Sequence, residues 1–243
     1  MRNQIQAWRE RKIKFSEFDR IVLEGREPSE ISEIITVGGV AKREADKWLR
    51  KERYGGRAPL IIVDTIFSLR RKYLPMVRNV LRSFYQEFPE KDLGRLAKCN
   101  PLWLCRKFTP NSSIGDQNHP LSDISRWQNV VEIVKRFLEN YGDDIDAIHK
   151  WATNVNLCSY QNDPIAKGLR GIGISAIQYL RMQAGVDTVK PEIRVKKVLS
   201  DLHVPYRDDL ELVELCKKLA MELEIRPIEF DFILWYSREE ACA

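Results

Sequence analysis

Two glycines flanking one apolar residue constrain this chain more than any other feature. Gly171-Ile172-Gly173 lies between two apolar, helix-compatible segments, Pro164 to Leu169 and Ser175 to Gln183. Glycine reaches positive φ without steric cost, so the pair reads as a tight hairpin joining two helices. Ile165, Leu169, Ile172, Ala176, Ile177 and Leu180 are expected to pack the hairpin together, with Ala176 small enough for close approach. The second helix then opens with backbone N–H groups that lack an internal partner, at the positive end of its dipole. Such groups suit one phosphate. Most Gly-x-Gly pairs are only turns, so the residues downstream decide how much weight this one bears.

After the second helix and a short loop comes Lys190-Pro191-Glu192-Ile193-Arg194-Val195-Lys196-Lys197-Val198-Leu199. Proline is well placed just before a helix start, so a helix beginning near Glu192 is expected. The stretch from Leu169 to Leu199 resembles the HhH-GPD superfamily of DNA glycosylases. In that family a helix-hairpin-helix (HhH) motif, a helix and a loop lead to a catalytic Asp. A pattern of the type DTHVKRVL begins at that Asp. EIRVKKVL matches it, with Glu192 in the Asp position. Gly185-Val186-Asp187-Thr188 offers a competing register. Asp187 lies 14 positions after Gly173, against 19 for Glu192, and the larger number is nearer the family spacing. Pro191 also interrupts any helix behind Asp187. Glu192 is therefore the first choice and Asp187 the alternative. Without the hairpin, Glu192 would read only as an acid favoured by a helix dipole.

The resemblance implies an all-α fold: a two-lobed helical glycosylase fold with a helical N-terminal extension. Residues 1–57 would form that extension and 58–243 the glycosylase-like core, with the hairpin at 164–183. It also implies chemistry, namely release of a damaged or mismatched base from double-stranded DNA by hydrolysis of its N-glycosidic bond. The base would leave the stack to reach the enzyme, and Glu192 would stabilise the charge left on the sugar. Leu169, Gly171, Gly173, Ile174 and Ser175 would hold the DNA backbone, and Lys190, Arg194, Lys196 and Lys197 would add phosphate contacts. Bifunctional members carry a lysine just past the hairpin glycines. Here Ile174, Ser175 and Ala176 stand there, which favours a monofunctional enzyme, with Lys190 as a candidate for lyase chemistry. Glutamate for aspartate adds a methylene, and displacements of about 1 Å can cost on the order of 100-fold in rate. A non-catalytic HhH DNA-binding protein and a helical DNA-binding regulator are the alternatives.

The remaining composition sets bounds. A formal charge of +5, from 40 basic against 35 acidic residues, permits nucleic acid binding without requiring it. No apolar run is long enough to cross a membrane, so an intracellular protein is expected; a monomer is expected as well. Many relatives hold an iron–sulfur cluster on four close C-terminal cysteines. Cys99, Cys105, Cys158, Cys216 and Cys242 are widely spaced, so no cluster or other cofactor is expected and the cysteines read as packing residues.

Four further expectations concern structure. Ile31 to Leu49 has a helix-turn-helix-like pattern around Gly38-Gly39. Lys42, Arg43, Lys47, Arg50, Lys51 and Arg53 would give its second helix a basic face, although an ordinary solvated helix pair is the simpler reading. Leu60 to Leu69 is either a buried strand or a buried helix, and the resemblance favours helix. Asn100 to Asp123 reads as an irregular loop. There Trp103, Phe108, Asn118 and His119 would border a base pocket, or else Trp103 and Phe108 would be core. Trp103, Trp127, Trp151 and Tyr160 are candidates for stacking on a base, each tryptophan more readily explained as core.

Overall fold

Helix-compatible periodicity does produce helices along most of the chain. A computed structural model describes residues 2–16, 32–70, 76–110 and 122–237. These form two units, one built from residues 1–52 with 181–243 and the other from 53–180. The chain passes between them after Glu52 and again within the helix Ile174–Gln183.

In the first unit, α1 (Arg2–Glu10) leads into an antiparallel pair, β1 (Lys12–Ser16) and β2 (Ser32–Thr36), with Lys12 opposite Thr36 and Ser16 opposite Ser32. The strand β2 occupies the place expected for the first helix of a helix-turn-helix, so that motif is not formed. Thr36 instead caps α2 (Val37–Leu49) by accepting the Gly39 N–H at 3.0 Å. Gly38 and Gly39 lie inside the first turn of α2. A Cβ on Gly38 would meet the Arg9 carbonyl at 3.2 Å, so this glycine serves close packing rather than a turn. The expected basic face is also divided. Lys47 is buried, Arg50 pairs with Glu52 at 3.0 Å, and Arg53 belongs to the other unit.

The C-terminal third completes this unit. Its helices are α10 (Ile193–Asp201), α11 (Asp209–Glu222) and α12 (Pro227–Ser237). Helix α12 packs on α1, α2, α10 and α11, and it is apolar on most sides because it runs through the unit's core. Trp48 meets Phe232 edge to face at 4.9 Å.

The second unit is arranged around α7 (Asp123–Asn140), which packs on α3 (Ala58–Phe67), α5 (Gly94–Ala97) and α6 (Pro101–Phe108). Ser122 caps α7 by accepting the Ser125 N–H, and Gly142 at φ +134 closes its far end. The ambiguous segment after Pro59 is the buried helix α3, with proline in its first turn. Helix α4 (Arg78–Glu87) brings Phe84 against Phe88 and Trp127, and Phe108 joins them at 5.6 Å from Trp127. Helix α6 replaces the first part of the expected irregular loop, because Asn100 accepts the Leu102 N–H and Pro101 starts the turn. Trp103 on α6 is 42 % exposed, whereas Phe108, Trp127 and, on α8 (Ile145–Asn154), Trp151 are core. Asn118 and His119 fall outside the described residues.

A buried carboxylate organises the centre of this unit. Asp64, fully buried on α3, accepts from Arg53 at 2.9 Å, from the Tyr54 hydroxyl at 2.9 Å, from the Tyr179 hydroxyl at 3.0 Å and from Ser68 at 2.8 Å. A buried charge is tolerable when its lone pairs are filled in this way. The cluster ties α3 to α9 (Ile174–Gln183), the helix that follows the hairpin.

Candidate functional site

Six residues expected to close the hairpin do converge. Ile165, Leu169, Ile172, Ala176, Ile177 and Leu180 line one apolar hollow together with Thr65, Ile66 and Ile133. The segment Pro164–Leu169 departs from expectation, since it forms a single turn rather than a helix. Its turn begins with Asp163, whose Oδ1 accepts the Ile165 N–H and the Trp151 indole N–H, both at 2.9 Å. The carbonyls at the far end are held from α7. Arg136 donates to the Lys167 carbonyl at 2.6 Å and the Ile165 carbonyl at 3.2 Å, and Asn129 donates to the Arg170 carbonyl at 3.1 Å. Arg136 and Asn129 carry no local motif, and only the folded chain brings them here.

While these carbonyls are held, the N–H groups of the hairpin are not. Among the described residues, the backbone N–H groups of Gly171, Ile172, Gly173 and Ile174 donate to nothing. They lie at the head of α9, where the dipole is positive. Gly171 adopts φ +77, so glycine is required there by conformation. Gly173 is different. Its φ is not left-handed, and an added Cβ would meet only the Tyr160 hydroxyl, at 4.0 Å.

The carboxylate centre belongs to the other unit. Glu192 precedes α10 with extended backbone and makes no side-chain cap bond. Its N–H donates to the Lys190 carbonyl at 2.8 Å across Pro191, which fixes the bend. One carboxylate oxygen, Oε2, lies 3.3 Å from the Lys190 ammonium. The other, Oε1, is buried and accepts no hydrogen bond. Ile193, the next residue, is 81 % exposed.

Asp231, which carries no sequence signal, completes this centre. It sits on α12 and accepts the Lys190 N–H at 2.9 Å. Burial pushes its carboxyl up to about 8, the Glu192 charge adds to that, and the Lys190 N–H and ammonium oppose it. At neutral pH Asp231 therefore holds its proton.

The structure separates the other expected residues by what they touch. Asp187 is exposed and accepts the Ile228 N–H at 2.9 Å, so it satisfies the first turn of α12. Arg194 stacks over Trp235 at 4.3 Å, Lys196 pairs with Asp209 at 2.6 Å, and Lys197 is exposed. Lys190 is buried against Glu192 and Asp231. Cys105 and Cys216 are packing residues as expected, but Cys158 is exposed. No helix among the described residues is long and apolar enough to cross a membrane.

No protein-family model and no curated protein matches the sequence. The structure is similar to the crystal structure of the 8-oxoguanine DNA glycosylase of Thermotoga maritima, with a TM-score of 0.55 at 15 % identity. The match covers 83 % of this chain and 89 % of that one. The two proteins thus share a mostly helical fold.

Proposed function

We propose that this chain is a monofunctional DNA glycosylase that draws a damaged base out of the duplex and hydrolyses its N-glycosidic bond. The observation that carries this reading is the state of Glu192, whose Oε1 is buried and accepts no hydrogen bond from the described residues. As the base departs with the bonding electrons, positive charge grows at C1′ of the deoxyribose. A fixed carboxylate with an unsatisfied oxygen stabilises that charge. The same oxygen can take the proton of the water that forms the new C1′–O bond. The Lys190 ammonium holds the second oxygen and so limits the swing of the longer glutamate side chain.

The hairpin supports the other half of the reading. Gly171, Gly173, Ile174 and their neighbours Leu169 and Ser175 would take the DNA backbone through main-chain N–H groups, with no sequence readout. Lys197 and Arg194 would add charge, so affinity falls with salt.

The test is base release from duplexes carrying oxidised, alkylated and deaminated bases, with wild type beside Glu192→Gln and Asp187→Asn. Release by wild type and Asp187→Asn, with none by Glu192→Gln, is the expected outcome. Release that survives Glu192→Gln overturns the carboxylate assignment. Salt-sensitive binding with no release from any duplex would favour a non-catalytic DNA-binding protein.

A further inference from the structure

We propose that Asp231 is a positioning residue that anchors the loop carrying Lys190 and Glu192 and so sets where the Glu192 carboxylate points; this rests on the glycosylase reading. Asp231 lies 5 % exposed on a helix whose neighbouring side chains Phe230 and Ile233 are core. An apolar residue would fill that place without the cost of burying a polar group. The carboxyl instead reaches across 41 positions of sequence to the Lys190 N–H. The Lys190 carbonyl then receives the Glu192 N–H, so two successive hydrogen bonds run from Asp231 to the backbone of Glu192. Pro191 stands between them and removes one soft dihedral.

The protonation state matters to this role. Lys190 and Glu192 face Asp231 from the loop, and the Cys216 thiol faces it from α11, itself pushed up mainly by burial. On the side of α1 and α2, the charges of Arg9, Lys42 and Asp46 act on Glu229 instead. A neutral Asp231 accepts the Lys190 N–H without competing with Glu192 for the Lys190 ammonium. An ionised one would place a second negative charge in the centre and weaken the hold on Glu192. Wild-type turnover is accordingly expected to fall as pH rises through about 8.

Asp231→Asn keeps an acceptor and cannot ionise, whereas Asp231→Leu removes the anchor. Single-turnover base release on the preferred lesion duplex should show Asp231→Asn within about threefold of wild type at neutral pH, without the alkaline fall. Asp231→Leu should lose on the order of 10- to 100-fold in turnover, as for a carboxylate displaced by a fraction of an ångström, with duplex affinity nearly unchanged. A large loss in Asp231→Asn at neutral pH overturns the proposal, as does an equal loss of turnover and affinity in Asp231→Leu. Amide hydrogen exchange at Lys190 reads the anchor without any chemistry. Protection kept in Asp231→Asn and lost in Asp231→Leu supports the anchor even where no lesion is cleaved, and protection kept in both refutes it. Should Asp231→Leu fail to fold, the pH profile of Asp231→Asn decides alone.

Discussion

Replacing Gly173 by alanine separates a glycine kept for the fold from one kept for a ligand. Gly168 and Gly171 sit at φ +73 and +77, where any side chain is strained, but Gly173 does not. Its Cβ would find open space up to the Tyr160 hydroxyl at 4.0 Å. Two local effects oppose each other. Alanine stiffens the unfolded chain, a gain of about 0.4–1 kcal/mol, and alanine is worse than glycine ahead of a helix by up to about 1 kcal/mol. They nearly cancel, so the melting temperature should move by less than about 3 °C in a chain of this size. Binding is another matter. If a phosphate oxygen meets the Gly173 N–H, the methyl group stands in its path. One charge-assisted hydrogen bond is worth about 1.5–3 kcal/mol, so affinity should fall roughly 10- to 150-fold. Fluorescence anisotropy of a short labelled duplex, repeated over a salt series, measures this. The slope of log affinity against log salt should stay nearly unchanged, because a neutral main-chain N–H releases no counterion. Gly171→Ala is the contrast, because left-handed backbone costs about 1–2 kcal/mol and its melting temperature should drop. Unchanged affinity in a stable Gly173→Ala protein would refute the phosphate site and leave the hairpin as a turn.

Three other perturbations test the supports of the site. Removing Arg136 (Arg136→Ala) frees the carbonyls of Ile165 and Lys167 and should weaken duplex binding by on the order of 10-fold, about the worth of one charged hydrogen bond; hydrogen exchange across 164–173 should rise with it, and unaltered exchange would contradict the clamp. Asp64→Ala strands Arg53, Tyr54 and Tyr179 in the interior and should cost about 3–5 kcal/mol, seen as a melting temperature lower by roughly 10 °C. The third concerns pH. Unfolding returns Asp231 to its ordinary value of 3.8, so between that and about 8 the folded chain holds a proton that the unfolded chain has lost. Stability from this group therefore declines as pH rises across that window, at up to about 1.4 kcal/mol per pH unit. Asp231→Asn should show a flatter melting profile over the same range, and an identical profile would remove the buried acid from the account.

Much of the fold was legible because helices announce themselves locally. Ser122 and Gly142 bracket α7 and apolar spacing fills in between, whereas the residues of α3 left strand and helix open and only the resemblance favoured helix. The misreadings share a cause, which is that identical residues serve two purposes. Asn100-Pro101 reads as loop punctuation, yet both residues are also good helix starters, and here they start α6. Gly38-Gly39 reads as a turn, yet these glycines are small so that α2 can approach Arg9 and Ile35. The strand β2 was hidden for another reason. Five residues carry little periodicity, and their partner Lys12–Ser16 is supplied from elsewhere in the chain.

The candidate site divides along the same line. Groups that would touch a nucleic acid are close in sequence, from Leu169 to Lys197, because a hairpin, a helix and a proline-led turn are all local devices. Groups that aim them are not. Asp231 reaches Lys190 across 41 positions, and Arg136 and Asn129 reach the hairpin across 31 and 41. None of these three has a signature, since an aspartate within Phe230-Asp231-Phe232 or an arginine on an amphipathic helix is ordinary until folded. Asp187 shows the converse. It has the more familiar local spelling, yet it is exposed and its Oδ1 accepts the Ile228 N–H, while the Oε1 of Glu192 is buried and accepts no hydrogen bond from the described residues. What distinguishes the two carboxylates is therefore where the fold puts them, Asp187 exposed at the first turn of α12 and Glu192 with a buried oxygen beside the Lys190 ammonium.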